Sequence, residues 1–182
     1  KEMDNLNLYG YGIKSFVLSM IESAMEISNR NISLQAIEDI INIGKDMLEK
    51  PVELLDGVEE VLKQLSGKYR LILATKGDLL DQERKLQKSG LEKYFHHIEI
   101  LSDKKENNYA KLLNHLDINP SEFLMIGNSL KSDILPLVQI GANAIHVPFH
   151  TTWIHEQVTE EETNGKVYKT VSSISEILQF LD

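Results

Sequence analysis

The sequence predicts an α/β protein: a Rossmann-like parallel sheet with helices on both faces, preceded by a small α-helical cap. From residue 56 onward, segments of helical periodicity alternate with short apolar runs, a pattern typical of a parallel sheet. The apolar runs are largely continuous, as in strands buried on both faces. Residues 13–49 instead contain two successive helical patterns and no strand. We therefore predict a helical cap at residues 1–50 and a Rossmann-like core at residues 51–182.

Each element has its own signal in the sequence. Residues 1–12 are polar and end in Tyr-Gly-Tyr-Gly, which predicts a turn-rich lead-in. Helical spacing of apolar residues predicts helices near 13–27, 34–48, 58–65, 78–89, 106–116, 134–140 and 174–181. Apolar runs predict strands at 70–74, 97–101, 123–126 and 144–147, with a small edge strand at 168–171.

The composition is that of an ordinary globular protein. Of 182 residues, 42% are hydrophobic and 26% are charged, and the formal net charge is −9. A negative charge argues against nucleic-acid or membrane-surface binding, since either partner needs a basic face. The sequence contains no cysteine, which excludes thiol chemistry and is compatible with the cytoplasmic location that we expect. No apolar run approaches the ~20 residues of a membrane span. The oligomeric state is left open.

Small polar side chains lie at the ends of three predicted strands. They are Thr75 after the strand at 70–74, Lys104 and Lys105 after the strand at 97–101, and Asn128, Ser129 and Asp133 after the strand at 123–126. Because the carboxyl ends of parallel strands meet at one edge of a sheet, we expect these groups to converge. A hydroxyl, an ammonium group and a carboxylate together suit a phosphoryl group with Mg²⁺.

Each of these residues also has a purely structural explanation. Thr75 is suited to capping the following helix, and adjacent lysines are usually solvated. Asp133 fits a helix cap as well as a ligand for a hard cation. It is the occurrence of all three groups, in order at matching strand ends, that favours a site.

Three short segments resemble motifs of the haloacid dehalogenase-like (HAD) hydrolase superfamily. They are Leu73-Ala-Thr-Lys-Gly77, Ser102-Asp-Lys-Lys105 and Gly127-Asn-Ser-Leu-Lys-Ser-Asp133, which are similar to its second, third and fourth motifs. The helical pair is similar to a cap inserted after the first strand of that family. The resemblance implies a Mg²⁺-dependent phosphoric monoester hydrolase whose partner is a small phosphorylated metabolite.

The resemblance also implies roles for individual residues. Thr75 and Lys104 would be catalytic, with Lys104 preferred to Lys105 because it is nearer the strand end, and Asp133 and Asn128 would bind the metal. The candidate substrate-binding residues are Lys76, Gly77 and Ser129, together with Tyr11 and Lys14 of the cap. A tight turn and a solvated lysine explain Tyr11 and Lys14 equally well.

The sequence departs from the family pattern in two places. Asn128 stands where the family usually has an acid, and the first motif, Asp-x-Asp, occurs nowhere in residues 1–182. That motif supplies the nucleophile, which forms an aspartyl-phosphate, and the general acid. We therefore expect an upstream segment of roughly 40–60 residues that adds the central first strand and the nucleophile. Residues 1–182 would then be inactive alone.

Two other functional classes remain open on the sequence alone. The chain is compatible with a catalytically silent binding or regulatory domain, since fold does not fix function. A receiver-type α/β domain shares the threonine and lysine at strand ends, although the helical insertion argues against it. An apolar strand followed by Asp-x-Asp upstream would favour the enzyme.

Overall fold

Residues 1–181 are described by the structure, a computed structural model, and they form helices and strands in alternation from residue 58 onward. The helices are α1 (Glu2–Tyr9), α2 (Ile13–Ile27), α3 (Leu34–Glu49), α4 (Val58–Leu65), α5 (Leu79–Ser89), α6 (Glu106–His115), α7 (Leu135–Gln139) and α8 (Glu160–Thr163). The strands are β1 (Ile72–Lys76), β2 (His97–Leu101), β3 (Leu124–Gly127), β4 (Asn143–His146) and β5 (Lys169–Thr170). Short 3₁₀ turns lie at Glu92–Tyr94, Pro120–Glu122, Ile154–Glu156 and Ile174–Phe180, and a π-helical turn lies at Leu130–Ile134.

Two compact units make up the chain. The first contains residues 1–54 and 72–102, and the second contains residues 55–71 and the chain from residue 103 onward. The first unit thus groups the helices α1–α3 with β1 and β2. The division into a cap at residues 1–50 and a core at 51–182 stays a prediction.

Helix α1 of the first unit corrects the expected turn-rich lead-in. No apolar stripe in the sequence reveals this helix. Polar contacts hold it to α2 instead. Asn5 Nδ2 donates to Ser19 Oγ over 3.0 Å, and the Tyr9 hydroxyl donates to Glu22 over 2.6 Å. Helices α2 and α3 form as predicted, and the Ser33 hydroxyl accepts a hydrogen bond from the amide of Ala36 at the start of α3.

The two strands of the first unit pair in parallel. Ile72 lies opposite His97 and Lys76 opposite Leu101. Strand β1 begins two residues later than expected, so Thr75 lies inside the strand and not after it. The side chains of Thr75 and Lys76 therefore leave opposite faces of the sheet.

The three strands of the second unit also pair in parallel, in the order β3–β4–β5. Gly127 at the end of β3 lies opposite His146 at the end of β4. Helix α4 packs on this sheet through a core of buried residues, which are Val61, Leu65, Ile145, Val171 and Ile177. The parallel pairing confirms the α/β class.

Strand pairing in residues 1–181 gives two groups of parallel strands, β1–β2 and β3–β4–β5. The additional central strand that we expect from outside these residues stays a prediction. In the same range no helix combines the length and the apolar character needed to cross a membrane.

Candidate active site

The loop after β3 is built on a π-helical turn. Ser129 begins the turn: its carbonyl oxygen accepts from the amides of Asp133 at 2.8 Å and Ile134 at 3.2 Å. The Ser129 hydroxyl accepts from the amide of Ser132 at 3.0 Å. Such wide turns are frequent at functional sites. This one bends the chain so that Asp133 returns to the end of β3.

Gly127 is needed because Asp133 comes so close to it. A Cβ atom built at residue 127 would lie 2.5 Å from both Cβ and Oδ2 of Asp133. The backbone of Gly127 does not have a positive φ, so any larger residue is excluded by contact and not by backbone strain. The glycine of the fourth motif therefore serves the placement of the acid.

Asp133 holds Lys104 in a largely buried ion pair. Lys104 Nζ lies 2.7 Å from Asp133 Oδ1, and the two side chains are 13% and 7% exposed. Asp133 Oδ2 accepts from the amide of Ser129 at 3.0 Å. Burying a charge pair to this extent costs free energy, and removing one of the two charges destabilises the fold because the other is left buried and unpaired.

Lys105 is placed quite differently from its neighbour. Its ammonium group lies 2.7 Å from Asp103 Oδ2, and its side chain is 72% exposed. The geometry therefore distinguishes the two lysines that the sequence left nearly equivalent, and it favours Lys104.

Tyr109 supports the π-helical turn through a buried hydrogen bond. The Tyr109 hydroxyl, on a fully buried ring of α6, donates to the Ser132 carbonyl oxygen at 3.0 Å. Burial, followed by the charges of Asp133 and Glu156, raises the pKa of Tyr109 far above its usual value. The Tyr109 hydroxyl is thus fixed as a hydrogen-bond donor at ordinary pH.

Glu156 fixes two serine hydroxyls of the turn. Its Oε2 accepts from Ser129 Oγ at 2.5 Å and from Ser132 Oγ at 2.6 Å. Beside it, Lys131 Nζ donates to the His155 carbonyl oxygen at 2.8 Å. The Ser129 hydroxyl, which we expected to contact substrate, is directed to Glu156 in this structure.

Asn128, like Lys131, is an exposed residue of the loop. Its carbonyl oxygen lies 3.1 Å from Nε2 of His146 at the end of β4. This contact fixes the main chain of Asn128 while its side chain stays accessible to a ligand.

In the first unit, the Thr75 hydroxyl is occupied by Gln82. Thr75 Oγ1 donates to Gln82 Oε1 over 2.9 Å. Gly77 has a φ of +145°, and a Cβ there would lie 2.9 Å from Gln82 Nε2. Gln82 thus fills the bend that follows β1, and Gly77 is the residue that leaves room for it.

The candidate residues of the cap also lie at this bend. Lys76 Nζ lies 4.6 Å from the centroid of the Tyr11 ring, within the range of a cation–π contact. Lys14 Nζ lies 2.8 Å from Asp78 Oδ2. The hydrogen bond from Lys14 lowers the pKa of Asp78 from its usual value, against the opposing effect of burial. Lys14 is therefore paired with Asp78, although its side chain is 55% exposed.

The structure thus brings the predicted residues together in two groups. In the first unit, Lys76 contacts the Tyr11 ring and Lys14 forms an ion pair with Asp78. In the second unit, Lys104 forms an ion pair with Asp133 beside Ser129. Convergence of Thr75 with the residues of the second unit stays a prediction.

A magnesium ion fits this donor set only in part. Among residues 1–181 no three histidine, cysteine or acidic side chains are grouped to hold a metal. Both oxygens of Asp133 already serve Lys104 and the Ser129 amide. The accessible Asn128 amide is the better placed ligand, and Mg²⁺ commonly takes only one or two protein oxygens besides waters and substrate phosphate.

Three supporting residues were not found by sequence reasoning. Gln82, Tyr109 and Glu156 each hold a predicted site residue or its turn through a hydrogen bond. The sequence marks Tyr109 only as an apolar position of a helix, and residues 151–162, which include Glu156, are polar and predict a loop with a short helix. Gln82 stands one helical turn after Asp78, which caps α5, and that spacing was the one available signal.

Comparison with known proteins identifies the family of this chain. The model of the haloacid dehalogenase-like hydrolases matches residues 9–141. A haloacid dehalogenase-like family hydrolase from Xanthomonas campestris has a TM-score of 0.79 and 41% identity, over 84% of this chain and 65% of that one. The chain belongs to the haloacid dehalogenase-like hydrolase family.

Curated relatives of this family member are more distant. N-acylneuraminate-9-phosphatase of Mus musculus is 29% identical over 71% of this chain, and that of Homo sapiens is 24% identical over 88%. The chain spans 53% of the mouse protein, 66% of the human protein and 60% of the Rattus norvegicus protein. The chain therefore corresponds to between about half and two thirds of the length of each relative.

Proposed function

We propose that this chain is part of a Mg²⁺-dependent phosphatase that hydrolyses a phosphoric monoester of a small metabolite. The observation that carries the proposal is the ion pair of Lys104 and Asp133 at 2.7 Å. Burying a lysine costs free energy, and a carboxylate offsets part of that cost. A cation held in this way at the end of the HAD third motif is suited to a phosphoryl group, whose transfer demands dispersal of negative charge.

In this proposal the residues of the chain act on the phosphoryl group through charge and through hydrogen bonds. Lys104 neutralises charge on the phosphoryl oxygens, and Asp133 keeps its ammonium group in place. Thr75 hydrogen-bonds a phosphate oxygen, for which its hydroxyl turns away from Gln82. Hydrogen bonds to charged groups of this kind are roughly twice as strong as neutral ones.

Asn128 and Asp133 are the contribution of the chain to magnesium binding. When bound, Mg²⁺ supplies further neutralisation of the phosphoryl charge. Asn128 offers the accessible amide oxygen, and Asp133 acts chiefly by holding the loop that carries it. Ser129 anchors that loop to Glu156 and reaches substrate only if that hydrogen bond opens.

The covalent chemistry needs a carboxylate from outside these residues. No Asp-x-Asp occurs in the sequence, and the chain covers only part of its relatives. We propose that an aspartate of a preceding segment attacks phosphorus, that a second aspartate protonates the leaving oxygen, and that water hydrolyses the resulting aspartyl-phosphate.

Substrate choice belongs to the bend after β1 in this proposal. Tyr11, Lys76 and Lys14 place an aromatic face and two cations there. The names of the relatives support a phosphorylated metabolite as substrate, and N-acylneuraminate 9-phosphate belongs among the esters to be tried.

The test is an assay of the protein that carries these residues with their native upstream sequence. We expect Mg²⁺-dependent release of phosphate from an aryl phosphate and from at least one ester of a metabolite panel. Residues 1–182 alone, folded or not, are expected to release none. Absence of phosphate release from every ester at saturating Mg²⁺ would overturn the proposal and favour a binding domain.

A further inference from the structure

The loop between β4 and α8 is long for a protein of this class. It covers residues 147–159, from the end of β4 at His146 to the start of α8 at Glu160, and it contains one 3₁₀ turn at Ile154–Glu156. Connections between strands and helices in α/β proteins usually take about 2–6 residues, and longer irregular loops are most often functional. We call residues 147–159 the β4–α8 loop, and its length favours a role beyond joining two elements.

The first residues of the β4–α8 loop are attached to the end of β3. The amide of Val147 donates to the Gly127 carbonyl oxygen at 2.9 Å. Just before it, Nε2 of His146 lies 3.1 Å from the carbonyl oxygen of Asn128. A carbonyl oxygen only accepts, so this nitrogen of His146 is the donor. The loop thus begins in contact with the main chain of the candidate metal ligand.

The far part of the β4–α8 loop returns to the same site. Glu156 accepts from the hydroxyls of Ser129 at 2.5 Å and Ser132 at 2.6 Å, and Lys131 Nζ donates to the His155 carbonyl oxygen at 2.8 Å. The residues between the two attachments therefore form an arch whose two ends are bonded to the candidate active site.

This arch leaves its two largest apolar side chains partly open. Phe149 is 37% exposed and Trp153 is 38% exposed. A loop that served only to cover the sheet would gain free energy by burying both rings. The Trp153 carbonyl oxygen also accepts from the amide of Glu156 at 2.8 Å. Trp153 is therefore one turn of chain away from the carboxylate that binds the active-site serines.

A histidine ring packs against each of these aromatic rings. The centroid of His150 lies 4.0 Å from that of Phe149, and the centroid of His155 lies 4.8 Å from that of Trp153. Both histidines are exposed, so the arch presents apolar ring faces with hydrogen-bonding nitrogens beside them. A sugar or polyol satisfies both, through its C–H groups and its hydroxyls. An alkyl chain would take water from the nitrogens without replacing its hydrogen bonds.

We propose that Trp153 contacts the leaving group of the phosphate ester and, with the neighbouring histidines, selects a hydroxylated one such as a sugar or polyol. This inference rests on the proposed phosphatase function and names the substrate class for it. Trp153 determines specificity in this proposal and takes no part in the chemical step.

The test uses the protein with its native upstream sequence and three phosphoryl compounds. Sorbitol 6-phosphate and hexyl phosphate share a six-carbon chain and differ in their hydroxyl groups, and acetyl phosphate has a small leaving group. With Mg²⁺, we expect kcat/KM for sorbitol 6-phosphate to exceed that for hexyl phosphate at least tenfold, because a hydrogen-bonding site rejects an analogue without hydroxyls.

Trp153→Ala should lower kcat/KM for sorbitol 6-phosphate at least tenfold, mainly by raising KM, and should change that for acetyl phosphate less than about twofold. Trp153→Phe keeps an aromatic face and should retain most of the preference. The matched control is Phe180→Ala, which removes a ring that is 45% exposed outside this loop, and it should change none of the three reactions. Amide exchange at residues 132–134 should be the same in Trp153→Ala as in the unaltered protein.

A binding measurement separates this inference from the phosphatase function. The sequence contains one tryptophan, so Trp153 emission, taken as the difference from Trp153→Phe, reports contact at the loop without Mg²⁺ and without turnover. Sorbitol 6-phosphate should change this emission at concentrations at least tenfold lower than hexyl phosphate does. If the unaltered protein releases phosphate from none of the three compounds, the phosphatase proposal fails for them and this titration alone decides the role of Trp153.

Three results would overturn the inference. The first is an unchanged Trp153 emission at saturating sorbitol 6-phosphate. The second is an equal or greater preference for hexyl phosphate. The third is an equal loss of activity towards sorbitol 6-phosphate and acetyl phosphate in Trp153→Ala, with faster exchange at residues 132–134, which would assign Trp153 a structural role while leaving the phosphatase function in place.

Discussion

The ammonium group of Lys104 and the carboxylate of Asp133 are separated by 29 positions in sequence and by 2.7 Å in space. The second oxygen of that carboxylate is held by the amide of Ser129. Asp133 thus links the loop after β2 to the turn after β3, and it does so at the position where the family resemblance predicts the phosphate lysine.

Asp133→Asn should lower the free energy of unfolding by about 3 kcal/mol, because it leaves a buried lysine without its counter-charge. Denaturant unfolding measures this directly. Lys104→Gln/Asp133→Asn should recover part of the loss, since neither charge is then buried alone. An Asp133→Asn variant as stable as the parent would show that the pair is solvated.

Lys104→Gln and Lys105→Gln should differ in activity in the protein with its upstream sequence. Lys104→Gln should reduce kcat for an aryl phosphate by about 100-fold or more, as losses of groups that stabilise transition-state charge do. Lys105→Gln should leave kcat nearly unchanged and cost less than ~1 kcal/mol of stability, because its pair with Asp103 is exposed. Equal, mild effects would place neither lysine at the phosphate.

The raised pKa of Tyr109 predicts a loss of stability at alkaline pH. Its folded-state pKa is raised by burial, so its contribution is fully present below the unfolded-state pKa of about 10. That contribution declines as the pH rises above this value, because the unfolded chain then loses the proton more readily. Unfolding measured from pH 8 to 11 should show this decline. Tyr109→Phe should remove most of it, whereas Tyr69→Phe, at an exposed ring, should not.

Glu156→Ala should loosen the turn at Leu130–Ile134, since two serine hydroxyls lose their acceptor. Hydrogen bonds to a charged group contribute about 1.5–3 kcal/mol each at most. Faster amide hydrogen exchange at residues 132–134 is the expected signature, with Glu156→Gln intermediate. Glu161→Ala, an exposed acid of α8, is the control. Unchanged exchange in Glu156→Ala would show that the turn is held without this residue.

Gly127→Ala should be as damaging as Asp133→Asn, because its methyl group would overlap the Asp133 side chain. Both unfolding and phosphatase activity should report it. Gly141→Ala meets no atom within 4 Å and therefore shows the cost of a positive φ alone. A Gly127→Ala variant with normal activity would mean that Asp133 can move without consequence.

The sequence was most informative where a residue pattern is local. Continuous apolar runs placed the strands within about two residues, and helical spacing placed α2, α3 and α5. The order of Thr75, Lys104 and Asp133 at strand ends pointed to the family that the comparison establishes.

The missed features depend on contacts between distant segments. Helix α1 is held by hydrogen bonds to α2 and carries no apolar stripe. The hydroxyl groups of Thr75 and Ser129 are directed by Gln82 and Glu156, which no spacing rule connects with them. For the lysines, the sequence preferred Lys104 to Lys105 only because it is nearer the strand end, and it gave no sign that Lys104 is the one that reaches Asp133.

The π-helical turn at Leu130–Ile134 has a consequence for insertions and deletions. Its hydrogen bonds from Ile134 to Ser129 and from Leu135 to Leu130 span five residues, one more than in an α-helix. Removing one residue from this turn would allow an ordinary α-helix, and α7 would keep its orientation, because the turn holds one residue more than the α-helical turn that replaces it. Asp133 lies inside the turn, so its direction relative to Lys104 would change. A single-codon deletion here would uncouple the acid from its lysine while leaving the helix that follows intact.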